Sequence, residues 1–300
     1  MKKFFIAGFV CLVALTSLAA CGEKAAPPPS ATAPPLSTTP PTADFSNLAS
    51  IHFERGQTLF GTRDYQEADA RFSEAIRLDP DFTPAYVQRA LTRIRLGLVV
   101  EAVADADRAL ELEPGNAGAF NAKGLALLNQ GLAEDAIREF DSAIQADGEF
   151  ADAYNNRGTA YSGIGQAGVA LNDFAKAISL DDTYAEAYNN RGTAYFNLGN
   201  LEQSITDFDE ALLLDPESGE TFLYRGAARA QLGNYQGAVE DLTEALRIGV
   251  DDAEAYAQRA LAYTGLGLDT EAESDFEQAV ALGVDAATLR SGITEAKSDR

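Results

Sequence analysis

The chain has 300 residues, 46% of them apolar, and a formal net charge of −23 at pH 7. This charge argues against sequence-independent binding to nucleic acid or to an anionic lipid surface, because both partners need clusters of Lys and Arg. It favours basic or neutral partners, although an acidic surface is also typical of a protein that is simply soluble. The only cysteines, Cys11 and Cys21, lie near the start, so the rest of the chain holds no disulfide framework.

Residues 1–20 have the pattern of a signal peptide. Lys2 and Lys3 precede an apolar run that is short for a membrane span. The run ends in Leu18-Ala19-Ala20-Cys21-Gly22, which resembles the lipobox of bacterial lipoproteins, a small-residue cleavage site directly before a cysteine. The resemblance implies that Cys21 becomes the first mature residue and carries diacylglycerol on sulfur and an acyl chain such as palmitate on its amine. An ordinary secretory peptide with a chance cysteine is the alternative.

The residue after Cys21 bears on location. In many Gram-negative lipoproteins an aspartate at this place retains the protein at the inner membrane, and this chain has Gly22. The resemblance therefore implies the periplasmic face of the outer membrane, with the inner membrane and the cell surface as alternatives. The membrane is expected as a partner through the lipid anchor only.

Residues 21–47 are rich in Ala, Pro, Ser and Thr. This composition cannot bury enough apolar surface to fold. A proline-rich segment extends by about 3.1 Å per residue, so it allows a reach of roughly 70 to 80 Å from the bilayer. A passive tether of no fixed length is an equally good interpretation.

The rest of the chain is periodic. The stretch that begins at Ala151 returns at Ala185 almost unchanged, 34 residues later. The repeat domain is expected to span residues 48–286. Its seven units follow one another without insertion, and they begin at Ala49, Thr83, Ala117, Ala151, Ala185, Gly219 and Ala253. Each unit predicts two helices with a turn between them. From the second unit on, the first helix is expected to end at a left-handed glycine, at Gly97, Gly131, Gly165, Gly199, Gly233 and Gly267.

Small residues recur at three fixed places in each unit, and large aromatic residues fill the places between them. One small column is Gly56, Ala90, Gly124, Gly158, Gly192, Gly226 and Ala260. A glycine inside a helix costs about 1 kcal/mol relative to alanine. Its recurrence therefore indicates a close helix contact, and the aromatic column Phe72, Phe140, Phe174, Phe208 and Phe276 is expected to form the core.

These positions resemble the tetratricopeptide repeat (TPR) family. Its helix-turn-helix carries an aromatic residue, a glycine, then Ala, Phe, Ala and a closing proline. The resemblance implies an all-α fold, a right-handed α-solenoid of seven repeats, with residues 287–300 as a C-terminal capping helix. Departures from the closing proline occur at Gly148, Asp182, Val250 and Val284, and the first unit has Arg63 at its turn.

A column of cations runs through the units, and an acid follows each one from the second unit on. The expected ion pairs are Arg89 with Asp105, Lys123 with Glu139, Arg157 with Asp173, Arg191 with Asp207, Arg225 with Asp241 and Arg259 with Asp275. In the first unit Arg71 stands at the position where the other units carry the acid, so no such pair is expected there. A basic ligand-binding ladder is the alternative, which the matched acids disfavour.

Polar residues occupy the other side of each first helix, at 100° per residue. In TPR proteins this side lines the concave groove. The candidate groove residues are Asn121, Asp152, Asn155, Asn156, Thr159, Glu186, Asn189, Asn190, Thr193, Asn197, Glu220 and Glu254. An asparagine amide can both donate to and accept from the backbone of an extended peptide, although a solvated polar face is the simpler interpretation. The acids would attract a basic segment of a bound peptide or helix.

No catalytic, cofactor or metal site is expected. His52 is the only histidine, which excludes a histidine-based triad or a multi-histidine metal site in the mature chain. The sequence therefore predicts a non-enzymatic scaffold or adaptor that binds periplasmic envelope proteins. The alternatives are an assembly factor, either pilotin-like or for the outer membrane, and the recognition subunit of a separate enzyme. The sequence does not indicate an oligomeric state.

Overall fold

The computed structural model describes residues 45–249 and 252–298. The expected signal peptide, Cys21 and nearly all of the expected tether lie outside the described residues. Within them every regular element is a helix, and there is no strand. The helices are α1 Phe45–Gly61, α2 Tyr65–Leu78, α3 Thr83–Arg95, α4 Val99–Leu112, α5 Ala117–Asn129, α6 Ala133–Ala146, α7 Ala151–Gly163, α8 Ala167–Leu180, α9 Ala185–Asn197, α10 Leu201–Leu214, α11 Gly219–Gln231, α12 Tyr235–Ile248, α13 Asp252–Leu266, α14 Asp269–Ala281 and α15 Ala286–Ser298.

The chain divides into two compact units. The first ends at Phe82 and contains α1 and α2, which pack as a hairpin. The second begins at Thr83 and contains α3 to α15. In it each odd-numbered helix up to α13 packs on the next even-numbered one, and successive odd-numbered helices also touch. The predicted all-helical repeat fold is confirmed, and helix α1 begins at Phe45, before the expected end of the tether.

Close approach of the two helices of a repeat explains the glycine column. A methyl group added at Gly124 would lie 2.5 Å from the Phe140 ring, and one at Gly192 would lie 2.7 Å from the Phe208 ring. These phenylalanine side chains are fully buried. At Gly124 and Gly192 the ring therefore occupies the place where a side chain would begin, whereas Ala90 and Ala260 carry a methyl group at the equivalent positions.

The turns inside the repeats follow the prediction. The six predicted glycines, from Gly97 to Gly267, have φ between 74° and 82°. Arg63 stands at this place in the first repeat with φ 63°. A non-glycine residue in this region is strained. The first turn therefore keeps the shared geometry without the residue that suits it.

The turns between repeats differ along the chain. The helix α8 is followed by Asp181, whose carboxylate accepts a hydrogen bond from the backbone of Thr183 at 2.9 Å, and Asp147 does the same for Glu149. Late in the chain the helices end at left-handed glycines instead, Gly249 with φ 84° and Gly283 with φ 108°. The departure from the closing proline at Val284 thus accompanies a different helix end, and Val250 lies outside the described residues.

The expected capping helix is present as α15. It packs on α13 and α14. Leu289 and Ile293 are its buried residues, and both contribute to a cluster that contains Phe276 of the last repeat. The cap thus covers apolar surface that the seventh repeat would otherwise expose.

Candidate functional site

The first helices of the second unit carry the polar residues that the sequence singled out. We call this surface the first-helix face and define it by Asp152, Thr159, Glu186, Asn197 and Glu220, which are all exposed. Thr193 and Glu254 are half-buried. The Glu254 carboxylate accepts a hydrogen bond from Gln258 at 2.6 Å.

The asparagines of this face bond to one another across repeats. The Asn156 amide donates to the Asn121 carbonyl oxygen at 2.9 Å, and the Asn190 amide donates to that of Asn155 at 3.0 Å. Each pair joins the first helices of two consecutive repeats. Their first role is therefore to fix one repeat against the next.

The expectation that Asn155 meets a ligand is wrong. Its side chain is 0% exposed, and its amide also donates to the Tyr184 hydroxyl and to Glu186, both at 3.3 Å. Asn121 is 5% exposed, so it too is withdrawn from solvent. Buried amides need such partners, because an unpaired buried amide costs about 1 to 3 kcal/mol.

Asn189 is also engaged within the protein. Its carbonyl oxygen accepts a hydrogen bond from the Thr221 hydroxyl at 2.9 Å, and Thr221 is buried. Neither Thr221 nor Tyr184 was among the predicted residues. The signal available in the sequence was their spacing: Tyr184 lies 29 residues after Asn155 and Thr221 lies 32 after Asn189, close to one repeat length.

A small cavity opens on the first-helix face between α7 and α9. Its volume is about 130 Å³. Phe174 and Ala194 supply apolar lining, and the polar lining comes from Thr159, Asn190, Thr193, Asn197 and Ser162. An apolar cavity with a polar rim suits one side chain of a bound segment.

The acids of this face are not neutralised by nearby cations. Asp152, Glu186 and Glu220 form no ion pair with Lys or Arg in the part of the chain that the structure describes. Burial, together with the negative charges of Glu186 and Asp152, raises the pKa of the Tyr184 hydroxyl. Loss of hydration and the neighbouring Glu186 likewise raise the pKa of Glu220 above its ordinary value, although part of this side chain remains exposed. A cationic group would relieve this repulsion.

The six predicted ion pairs are confirmed. In the fourth repeat Arg157 Nη2 lies 2.7 Å from Asp173, and in the third Lys123 Nζ lies 3.2 Å from Glu139. The hydrogen bonds with Asp173 raise the pKa of Arg157. The remaining pairs join Arg89 to Asp105, Arg191 to Asp207, Arg225 to Asp241 and Arg259 to Asp275.

These cations also contact aromatic rings and the preceding repeat. Arg157 lies over the Tyr154 ring at 5.6 Å, and its Nη1 lies 2.6 Å from Asp141. In the first repeat Arg71 pairs with Glu67 on its own helix instead. Because each cation of the column from the second repeat on is paired with an acid, the column stabilises the packing of the repeats. The first-helix face is therefore the better candidate for binding a partner.

Among residues 45–249 and 252–298, no group of three or more His, Cys, Asp and Glu side chains is placed to hold a metal ion. In the same ranges no helix has the length and apolar character to cross a membrane.

Comparison with known proteins points to one family. Four models described as tetratricopeptide repeat match residues 49–82, 88–150, 151–184, 185–218 and 253–282. No curated protein matches the sequence significantly.

Solved structures show the same fold at low identity. PilF of Pseudomonas aeruginosa is 18% identical, with a TM-score of 0.64 over 73% of this chain and 97% of its own. PilW, a type IV pilus biogenesis factor, is 21% identical, with a TM-score of 0.58 over 66% of this chain and 91% of its own. The TPR protein TTC0263 of Thermus thermophilus is 21% identical, with a TM-score of 0.56 over 60% of this chain and 98% of its own.

Proposed function

Because the chain belongs to the tetratricopeptide repeat family, whose members are protein-interaction scaffolds, we propose that it is an adaptor whose first-helix face binds a basic segment of an envelope protein. The observation that carries this proposal is the row of Asp152, Glu186 and Glu220, one acid in each of three consecutive repeats. None of the three is balanced by a cation in the described residues.

The spacing of the row fits an extended or helical segment that crosses several repeats. Each repeat offers one carboxylate, and the cavity beside Thr193 and Asn197 offers a place for one apolar side chain. Charge complementarity of this kind selects the partner and its register more than it raises the affinity. A partner with Lys or Arg at regular intervals meets these conditions.

Asn155 and Asn190 serve this surface indirectly. Asn155 donates to Glu186, so it holds one carboxylate of the row in place. Asn190 both bonds Asn155 and lines the cavity. The amides thus orient the groups that would meet a partner.

Two variants that lose the same number of charges test binding through the first-helix face. One variant carries Asp152→Asn, Glu186→Gln and Glu220→Gln, and the control carries Asp182→Asn, Glu202→Gln and Glu210→Gln on exposed positions elsewhere. Both lose three negative charges. After chemical cross-linking and affinity purification from membranes, we expect the variant of the first-helix face to lose partners that the control retains. Equal recovery of all partners by both variants would refute binding through this face.

The proposal includes a lipid anchor at Cys21 on the periplasmic face of the outer membrane. Its support is the lipobox-like stretch before Cys21 and the presence of Gly22 after it. Several acyl chains hold a protein stably at a membrane, since each buried methylene contributes about 0.8 kcal/mol. Incorporation of labelled palmitate into a Cys21→Ser variant tests the anchor.

An assembly factor is the second candidate function. PilW, which has a similar fold, is a pilus biogenesis factor. Deletion of the gene discriminates the two functions. Loss of an assembled multimer would favour the assembly factor. A change in cell-wall chemistry would favour an adaptor whose envelope partners are enzymes that act on the cell wall. Stoichiometric co-purification with one catalytic chain would instead identify a recognition subunit.

A further inference from the structure

In the fifth repeat the cation of the recurring column lacks one contact that its counterparts make. In four other repeats the cation bonds an acceptor 16 residues earlier, on the second helix of the preceding repeat. These contacts join Lys123 to Asp107 at 3.0 Å, Arg157 to Asp141 at 2.6 Å, Arg225 to Asp209 at 2.6 Å and Arg259 to Thr243 at 3.0 Å. The equivalent residue for Arg191 is Ala175, which has no acceptor.

The Arg191 guanidinium therefore uses only part of its hydrogen-bonding capacity. Its Nε and Nη2 atoms donate to Asp207 at 2.8 and 2.7 Å. Among the residues that the structure describes, its Nη1 has no hydrogen-bond partner. The guanidinium is largely buried, with 22% of the side chain exposed.

A shallow surface cavity of about 220 Å³, open to solvent, lies beside this guanidinium. Its lining is Arg191, Tyr195, Gln203, Thr206 and Asp207. The Tyr195 hydroxyl and the Gln203 amide make no hydrogen bond with other described residues, so both are available as donors. The cavity shares no residue with the one on the first-helix face.

We propose that this cavity is a carboxylate-binding site, in which a ligand carboxylate takes the place that Asp141 and Asp209 occupy in the neighbouring repeats. Arg191 Nη1 would donate to the ligand, with Tyr195 and Gln203 as further donors. Asp207 does not prevent this, because Arg157 and Arg225 each hold two carboxylates at once.

The chemistry of the site favours an oxyanion, and a carboxylate is the group that Nη1 of Arg157 and Arg225 bonds in the equivalent place. Guanidinium groups bond carboxylates with charge-assisted hydrogen bonds, which are about twice as strong as neutral ones. The carboxylate could belong to a small acid or to a glutamate of a protein. Both sources present the same group to Arg191, and the experiment separates them.

The test uses the full chain labelled with ¹⁵N-arginine, in which an Arg191→Lys variant assigns the Arg191 Nε resonance. Glutarate is titrated against chloride at equal ionic strength, and a blocked peptide with one glutamate is titrated against its glutamine counterpart. We expect a saturable shift of the Arg191 resonance with glutarate or with the glutamate peptide. A response to the peptide alone assigns the site to a protein partner.

An Ala175→Asp variant is the matched control, because it supplies the missing acid from within the chain. Aspartate stands at the equivalent positions 141 and 209, so the variant is expected to fold. We expect it to bind the responding probe at least about tenfold more weakly than the wild type and to unfold at a higher temperature. No saturable shift with either probe in the wild type, or unchanged affinity in Ala175→Asp, would overturn the proposal.

Discussion

At the scale of single residues, the ring of Phe208 decides what can stand at position 192. A methyl group at Gly192 would lie 2.7 Å from the ring, whereas at Gly163, the last residue of α7, nothing lies within 4 Å of the same added group. Both glycines lie inside helices, but only Gly192 belongs to the column of small residues that recurs every 34 residues. Their substitution to alanine should therefore change stability in opposite directions.

We expect Gly192→Ala to lower the free energy of unfolding by about 1 to 3 kcal/mol, because the buried ring cannot move without disturbing its neighbours. Gly163→Ala should raise it by up to about 1 kcal/mol, since alanine is the better helix former. Urea denaturation followed by circular dichroism measures both. A neutral or stabilising Gly192→Ala would show that the glycine column is not a packing requirement.

At the residue scale the sequence also had a clear limit. Arg157 and Asp173 could be paired in advance, because their offset recurs in six repeats. The burial of Asn155 could not, because it depends on Tyr184 and Glu186 in the next repeat. The spacings of 29 and 31 residues to Tyr184 and Glu186 were visible in the sequence, but a polar residue on a helix does not by itself show whether its partner is water or a neighbouring repeat.

At the scale of elements, the turn between α1 and α2 is the least suited to its geometry. Arg63 has φ 63°, while the equivalent turns of the later repeats use glycine. We expect Arg63→Gly to stabilise the first hairpin by about 0.5 to 1 kcal/mol, because relief of the left-handed strain exceeds the entropy cost of glycine.

Native-state hydrogen exchange of the α1 and α2 amides measures this effect. Arg63→Ala is the control, since it removes the same exposed charge but keeps a β-carbon in the left-handed region. Equal protection in the two variants would mean that backbone strain at this turn is not what limits the hairpin.

The helices themselves were predictable because glycine turns and alanine columns repeat at one period. The helix ends between repeats were less so. Gly249 and Gly283 end the late repeats in a left-handed conformation, where earlier repeats use an aspartate such as Asp181. At both kinds of helix end the backbone N–H of the cap residue donates to the carbonyl four residues earlier, Asp181 to Ala177 and Gly249 to Ala245. The period alone therefore does not choose between them.

At the scale of the whole molecule, the proposed anchor and the repeats are separate requirements for function. We expect Cys21→Ser to abolish incorporation of labelled palmitate, because serine offers no sulfur for the diacylglycerol group. The repeats should remain folded, as judged by an unchanged circular dichroism spectrum. Labelling of the variant equal to that of the wild type would exclude Cys21 as the lipidated residue, whereas membrane retention alone would not, because the uncleaved apolar run at residues 4–19 also holds a chain at a membrane.

The helix α15 has one more consequence for the whole molecule. Similar repeats stack through similar surfaces, so an uncovered last repeat would be a template for a repeat of another chain, and head-to-tail contacts of this kind generate open filaments wherever the rotation does not close a ring. Leu289 and Ile293 of α15 cover this surface. The fold thus carries its own stop against growth into filaments at this end, which matters most if the protein is concentrated on a membrane.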